Sequence, residues 1–212
     1  MVEFQKQTPI RSESVAKKSN YRDYLPQLAI DFNKRCGYTG SSHLYWGVKF
    51  QVDHFAPLKP DVDELKKQAF LDGKLKYENL VYACPQVNRA KWNDWPSDDP
   101  GEPISNGKGY YDPGTVNLND HFYRTDGGVI MPNKDDSIAV YMWHKLKLHL
   151  TRYALYWRFD LLKDKLDELH SRSQEIEPGS QHELELLRLI NEFYAEIRTY
   201  EKYLDLNKNT LS

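Results

Sequence analysis

Apolar residues recur along this chain with two different periods, and the changes of period divide it into elements. From Tyr21 to Arg35, Leu25, Leu28, Ala29 and Phe32 fall at helical spacing, with Pro26 tolerable in a first turn, which predicts a short amphipathic helix. Across Val48 to Phe55 the period drops to two: Val48, Phe50 and Val52 alternate with polar neighbours and predict a half-buried strand that Pro57 and Pro60 end. Asp61 to Leu71 carries Val62, Leu65 and Ala69 on one helical face and stops at Asp72-Gly73. Leu80 to Cys84 has the length and β-rich content of a second strand, and Gln86 to Trp92, free of breakers, predicts another helix.

Further on, Trp95 to Gly114 is dense in Pro, Gly, Asn and Asp and predicts a long surface loop. His121 to Met131 reads as a hairpin turned by Asp126-Gly127-Gly128. From Ile138 to Leu206 the pattern is helical. Leu146, Leu150, Tyr153, Trp157 and Leu161 form a stripe extended by Leu162, Leu166 and Leu169, and after Pro178-Gly179 a second stripe runs through Leu187, Ile190, Tyr194 and Ile197. Two such helices joined by a short loop should lie antiparallel. Residues 1–20, polar and bearing Lys6, Arg11, Lys17 and Lys18, predict a solvated basic arm. The expected fold is α+β and helix-rich, in three segments: the arm 1–20, a central domain 21–135 with a long loop and a hairpin, and a helical hairpin extension 136–212.

Composition narrows the class. With 212 residues, 40% hydrophobic and 13% aromatic, the chain can bury a core without disulfides, which excludes disordered and fibrous classes. No apolar run is long enough for a membrane span, and Met1 to Lys6 lack the apolar core of a signal peptide, so a soluble, cytoplasmic protein with no membrane partner is expected. Charge constrains the partners: 29 Lys plus Arg against 31 Asp plus Glu leave a net of -2, so any grip on nucleic acid must be local.

One constellation carries chemistry: Val52-Asp53-His54-Phe55-Ala56-Pro57, then Tyr77-Glu78-Asn79-Leu80, then Cys84-Pro85-Gln86-Val87-Asn88-Arg89-Ala90-Lys91. A strand ending in Asp-His, a second strand opened by Asn-Leu and a helix with Asn-x-x-Lys resembles the HNH endonucleases over at least Arg35 to Asn93. The resemblance implies a ββα-metal finger and cleavage of DNA phosphodiester bonds, with RNA a further possible substrate. Under it, His54 is the general base, Asp53 and Asn88 are metal ligands, and Asn79 holds the loop that aims His54. The chemistry is coherent with those residue types. A neutral imidazole can take a proton from water, while a carboxylate and an amide carbonyl suit Mg²⁺ or Mn²⁺, which can neutralise charge on phosphate and on the leaving oxygen. Asn79 alone is also an ordinary turn residue before a strand.

Lys91, three residues after Asn88, is expected to contact phosphate, with Arg89 beside it. Lys145, Lys147 and Arg152 place further cations on the predicted long helix, readable as a DNA-backbone track or as a solvated face. His121, His144 and His149 have no partner at ligand spacing. Many HNH proteins hold a structural zinc with two Cys-x-x-Cys knuckles. Here the knuckles read Cys36-Gly37-Tyr38-Thr39 and Cys84-Pro85-Gln86-Val87, each lacking its second cysteine, so no structural zinc is expected. Cys36 and Cys84 should then be buried neighbouring thiols, with Tyr38, Trp46 and Val87 packing around them. The expected partners are DNA, an ATPase or other regulatory protein as for small HNH effectors of bacterial defence, and a second copy through the C-terminal helices. The alternative is a catalytically degenerate finger that binds nucleic acid or protein.

Overall fold

The computed structural model describes residues 2–209, with side chains through Tyr203. Met1 and residues 210–212, the outermost parts of the predicted arm and extension, lie outside the described residues. In chain order the elements are β1 (Val2–Glu3), a 3₁₀ turn (Tyr21–Tyr24) leading into α1 (Leu25–Asp31), β2 (Gln51–His54), α2 (Glu64–Leu71), β3 (Leu80–Ala83), α3 (Pro85–Lys91), β4 (Ile104–Ser105), β5 (Lys108–Gly109), β6 (Phe122–Arg124), β7 (Ile130–Pro132), α4 (Ser137–Lys145), α5 (Thr151–Ser173) and α6 (Gln181–Asn209). The fold is α+β, with six α-helices and small antiparallel sheets among the described residues. No described helix is long and apolar enough to cross a membrane.

Two compact units make up the chain, one up to Tyr153 and one from Ala154. The division falls well after residue 135 because α4 belongs with the first unit. Trp143 Nε1 donates to the Ile130 carbonyl at the β7 edge (2.7 Å), and Asp136 caps α4 by accepting from the Ile138 and Ala139 backbone N–H groups.

In the first unit β2 and β3 pair antiparallel, Asp53 opposite Val81 and His54 opposite Leu80. All four residues of β3 are buried, as a short apolar run predicts. In β2 the inward position is not the apolar one that alternation suggests: Asp53 is buried, Val52 half-buried and Val48, before the strand, exposed. α2 starts later than expected, and Leu65 is 97% exposed while Phe70 carries the burial. The helical spacing of Val62, Leu65 and Ala69 therefore marked the wrong face, the helix being anchored by one aromatic.

Residues 2–12 do not form a solvated arm. Val2 and Glu3 pair with β6 in a three-stranded sheet of order β1-β6-β7, and Phe4 and Gln5 are buried. Fully buried Arg124 stitches this region together, donating to the carbonyls of Phe4, Gly128 and Thr39. Arg11 makes a two-pronged contact with Asp112 (both 2.7 Å) and donates to the Leu80 carbonyl (3.1 Å). Such fixed contacts offset the entropy cost that would otherwise leave a terminus loose.

The segment 95–114 is likewise not a plain surface loop. Asn106 and Gly107 both have positive φ, the requirement of a tight two-residue hairpin turn between β4 and β5, and Tyr110 just beyond is fully buried. Between α4 and α5 the single long helix expected from the leucine stripe is broken. Lys147 stands at φ 54° and Leu146 and Leu148 are buried in the connection, so apolar spacing persisted through a turn. In the second unit Leu166, Leu169, Ile190 and Ile197 are buried, whereas Leu161, Leu187 and Tyr194 of the predicted stripes are exposed. Arg158 lies over the ring of Tyr200, and His170 Nε2 meets the Tyr194 hydroxyl at 3.0 Å.

Candidate active site

Local rules place the site residues. Pro85 opens α3, where its missing N–H costs nothing, and Cys84 takes the preceding extended position. Val87 and Lys91, one turn apart, point inward, Asn88 is half-exposed, and Arg89 faces solvent. Cys36 and Cys84 are both buried with free thiols, and the Cys84 N–H donates to Cys36 Sγ at 3.3 Å. Burial pushes the Cys84 thiol well above its ordinary pKa. Tyr38, Trp46 and Val87 are buried as well.

Asp53 is buried, at 4% exposure. The Tyr38 hydroxyl donates to Oδ2 at 2.7 Å, and the Lys91 ammonium lies 3.3 Å from the carboxylate. Lys91 is itself fully buried and donates to the His54 carbonyl at 2.7 Å. Its expected role at a substrate phosphate is thereby corrected: the side chain turns inward with Val87 and neutralises Asp53. A buried carboxylate without such partners would cost several kcal/mol. Burial still outweighs the help from Lys91 and Tyr38, and the Asp53 carboxyl sits above its ordinary pKa.

His54, the next residue, stays half-exposed. Its Nε2 lies 3.1 Å from the Lys74 carbonyl oxygen, which can only accept, so Nε2 carries the proton and Nδ1 of the neutral ring is the basic atom. Burial holds the His54 pKa below its ordinary 6.5, against the opposing pull of Lys74 and Asp53, so neutral imidazole dominates at pH 7. The ring of Tyr21 meets it edge-on at a centroid distance of 4.7 Å.

Asn79 locks the two chain segments that flank His54. Its Oδ1 accepts from the Ala56 N–H (2.8 Å), Nδ2 donates to the carbonyls of Ala56 (3.1 Å) and Gly73 (3.3 Å), and its own carbonyl accepts from the Phe55 N–H (2.8 Å). The exit of β2 is so tied to the turn that presents the Lys74 carbonyl. A Cβ on Gly73 would stand 2.9 Å from Asn79 Nδ2, which is why that turn takes glycine.

Asn88 Nδ2 donates to Gln51 Oε1 at 2.9 Å, leaving Oδ1 as its second polar atom. Asp53, His54 and Asn88 line one cavity of about 300 Å³ together with Tyr21, Val52, Pro57, Leu58, Lys59, Trp92 and Asn93. Its oxygen donors are a carboxylate, with more lone pairs than Tyr38 and Lys91 engage, and an amide carbonyl; both suit a hard divalent cation. No group of three or more His, Cys, Asp and Glu that could hold a metal occurs among the described residues.

The remaining cations do not form one track. Lys145 ends α4 and pairs with Asp94 (2.9 Å), Lys147 occupies the left-handed turn, and Arg152 lies in the first turn of α5. The break between the helices separates residues that a single helix would align. His121 Nδ1 pairs with Asp136 (2.6 Å) and stacks on Tyr111.

Three participants were not singled out as site residues from sequence. Tyr38 was expected only to pack, and no local pattern shows that its hydroxyl reaches Asp53. Tyr21 lies over thirty residues from His54 and carries no motif. Trp92 had a signal, a helix stopping at an aromatic with no glycine to accept the reversal. Its φ of 51° and ψ of -130° are strained for any residue with a Cβ, at a cost of about 1–3 kcal/mol.

No protein-family model, curated protein or solved structure matches the chain.

Proposed function

We propose that this protein is a metal-dependent endonuclease of the HNH kind, its ββα-metal finger made by β2, β3 and α3, which hydrolyses phosphodiester bonds in DNA. The observation that carries the reading is the convergence of His54, Asp53 and Asn88, from a strand and a helix far apart in sequence, on one cavity. Asp53 and Asn88 Oδ1 would hold Mg²⁺ or Mn²⁺, which supplies charge neutralisation at the phosphate and the departing oxygen. The rest falls to the chain. Nδ1 of His54 takes a proton from water as its oxygen bonds to phosphorus, the bond from phosphorus to the 3′ oxygen breaks, and the leaving oxygen is protonated from solvent. The Lys74 carbonyl keeps the tautomer, and Asn79 keeps the carbonyl in place.

The net charge of -2 argues for delivery to DNA by a partner, an ATPase or another regulatory protein in a bacterial defence complex. The second unit fits a docking role. The contacts Arg158 to Tyr200 and His170 to Tyr194 run in opposite senses along α5 and α6, the pairing of an antiparallel helical hairpin, and Leu184, Leu187 and Leu189 are exposed on α6.

A second reading draws on the ion pair. With Lys91 already neutralising Asp53, the cavity has less need of a cation, and the finger would be a binding module without catalysis. Incubation of supercoiled plasmid with the protein and Mg²⁺ or Mn²⁺ separates the two. Nicking that disappears in His54→Ala and in EDTA is expected; equal nicking by both proteins overturns the role of His54, and no nicking favours the second reading.

A further inference from the structure

Trp92 combines two costs at one position. Its side chain is 73% exposed, where tryptophan loses its large burial gain, and its backbone occupies a region that glycine enters freely and other residues resist. The turn itself does not require an indole. It needs only that the chain reverse after α3 so that the Asp94 N–H can reach the Lys91 carbonyl (3.1 Å). Trp92 instead forms part of the wall of the cavity lined by His54, Asp53 and Asn88. Tyr21, held edge-on against His54, lines the same cavity, and exposed Lys59 adds a cation there. An exposed aromatic face, a second aromatic, a lysine and a phosphodiester-directed histidine share a space of about 300 Å³, the lower end of small-ligand cavities.

We propose that Trp92 is a stacking platform for an unpaired nucleobase beside the scissile phosphate. The substrate is then DNA with at least one unstacked nucleotide at the cut, as in single strands, bulges or frayed ends, rather than intact duplex. In a duplex each base face is covered by its neighbours, so an aromatic wall this close to the phosphate site gains contact only from a base that has left the stack. The lysine contributes to the backbone and the rings to the base, the division found in sequence-tolerant single-strand binding. This inference rests on the nuclease reading for the position of the phosphate.

The test compares the full chain with Trp92→Gly and Trp92→Phe on a fluorescein-labelled single-stranded oligonucleotide, on the same strand as blunt duplex, and on a duplex with a one-base bulge. Cleavage is measured with Mn²⁺, and binding by anisotropy in the His54→Ala background. Trp92→Gly should fold at least as stably, because it relieves the backbone. It should bind the single strand about five- to a hundredfold more weakly and lose preference for unpaired DNA, while Trp92→Phe retains most of both. If the native protein cleaves and Trp92→Gly shows unchanged preference and affinity, the stacking role is overturned and the nuclease reading stands. If nothing is cleaved yet the oligonucleotide binds in a Trp92-dependent way, the stacking role stands and the nuclease reading falls. Neither cleavage nor Trp92-dependent binding overturns both.

Discussion

The ammonium of Lys91, fully buried, lies 3.3 Å from the carboxylate of Asp53, itself nearly so, and that pair joins α3 to β2 beside His54. Removing one partner strands the other. Lys91→Met is expected to cost about 3–5 kcal/mol in urea unfolding, because an unpaired carboxylate is left in the interior. The double variant Lys91→Met, Asp53→Asn should lose clearly less than the sum of the single losses. Additive losses would mean that the two groups do not stabilise each other.

Asn79 makes three side-chain hydrogen bonds across the segment that presents the Lys74 carbonyl to His54. Asn79→Ala should destabilise by about 2–4 kcal/mol, from lost bonds and orphaned backbone groups. Gly73→Ala, which places a Cβ against the same amide and 3.2 Å from the Phe70 carbonyl, should act in the same direction. Both variants, assayed for plasmid nicking well below their melting temperatures, should be slower than the native protein by a larger factor than a distant variant of equal stability, such as Phe122→Leu. Unchanged nicking would remove the positioning role.

Asp31 gives the fold a pH dependence with a definite sign. Burial raises its pKa, but the Ser12 N–H, the Tyr77 hydroxyl, Gln27 and the Ser12 hydroxyl all donate to it, and together they bring the folded-state value below the ordinary 3.8. A carboxyl depressed on folding contributes stability that is fully present above about pH 4 and is lost as pH falls through the folded value. Protection from hydrogen exchange near Ser12, measured against the intrinsic rate at each pH, should therefore fall at strongly acid pH. Asp31→Asn should be less stable at pH 7 and show a flatter acid limb; an unchanged limb would count against the assignment.

The order of strand, strand and helix around the candidate site was legible because each element is short, and Pro57 and Pro85 punctuate the chain after the two strands. Inward and outward were less legible. Alternation marks Val52 as the buried residue of β2, yet Asp53 takes that place, since Tyr38 and Lys91 supply a polar socket that lies far off in sequence. Helical spacing set Lys91 on the face of Asn88, but it follows Val87 instead. The β4–β5 hairpin was in the sequence as Asn106-Gly107, hidden because its strands are too short to show a period. The anchoring of residues 2–12 left no local trace, because its contacts join positions from about twenty residues apart, as Ser12 with Asp31, to more than a hundred, as Arg11 with Asp112 and Phe4 with Arg124.

Those same long-range contacts set an order of events at the ribosome. Arg124 cannot reach the Phe4 carbonyl, nor β1 find its neighbour, until the nascent chain has grown past the hairpin of β6 and β7. The stretch carrying His54, Asn79 and Asn88 will have emerged before that closure can happen. High contact order slows such closures. In a growing polypeptide β2, β3 and α3 are therefore free to come together before β1 can dock on β6, and a ribosome stalled before residue 124 would hold the first strand without its partner.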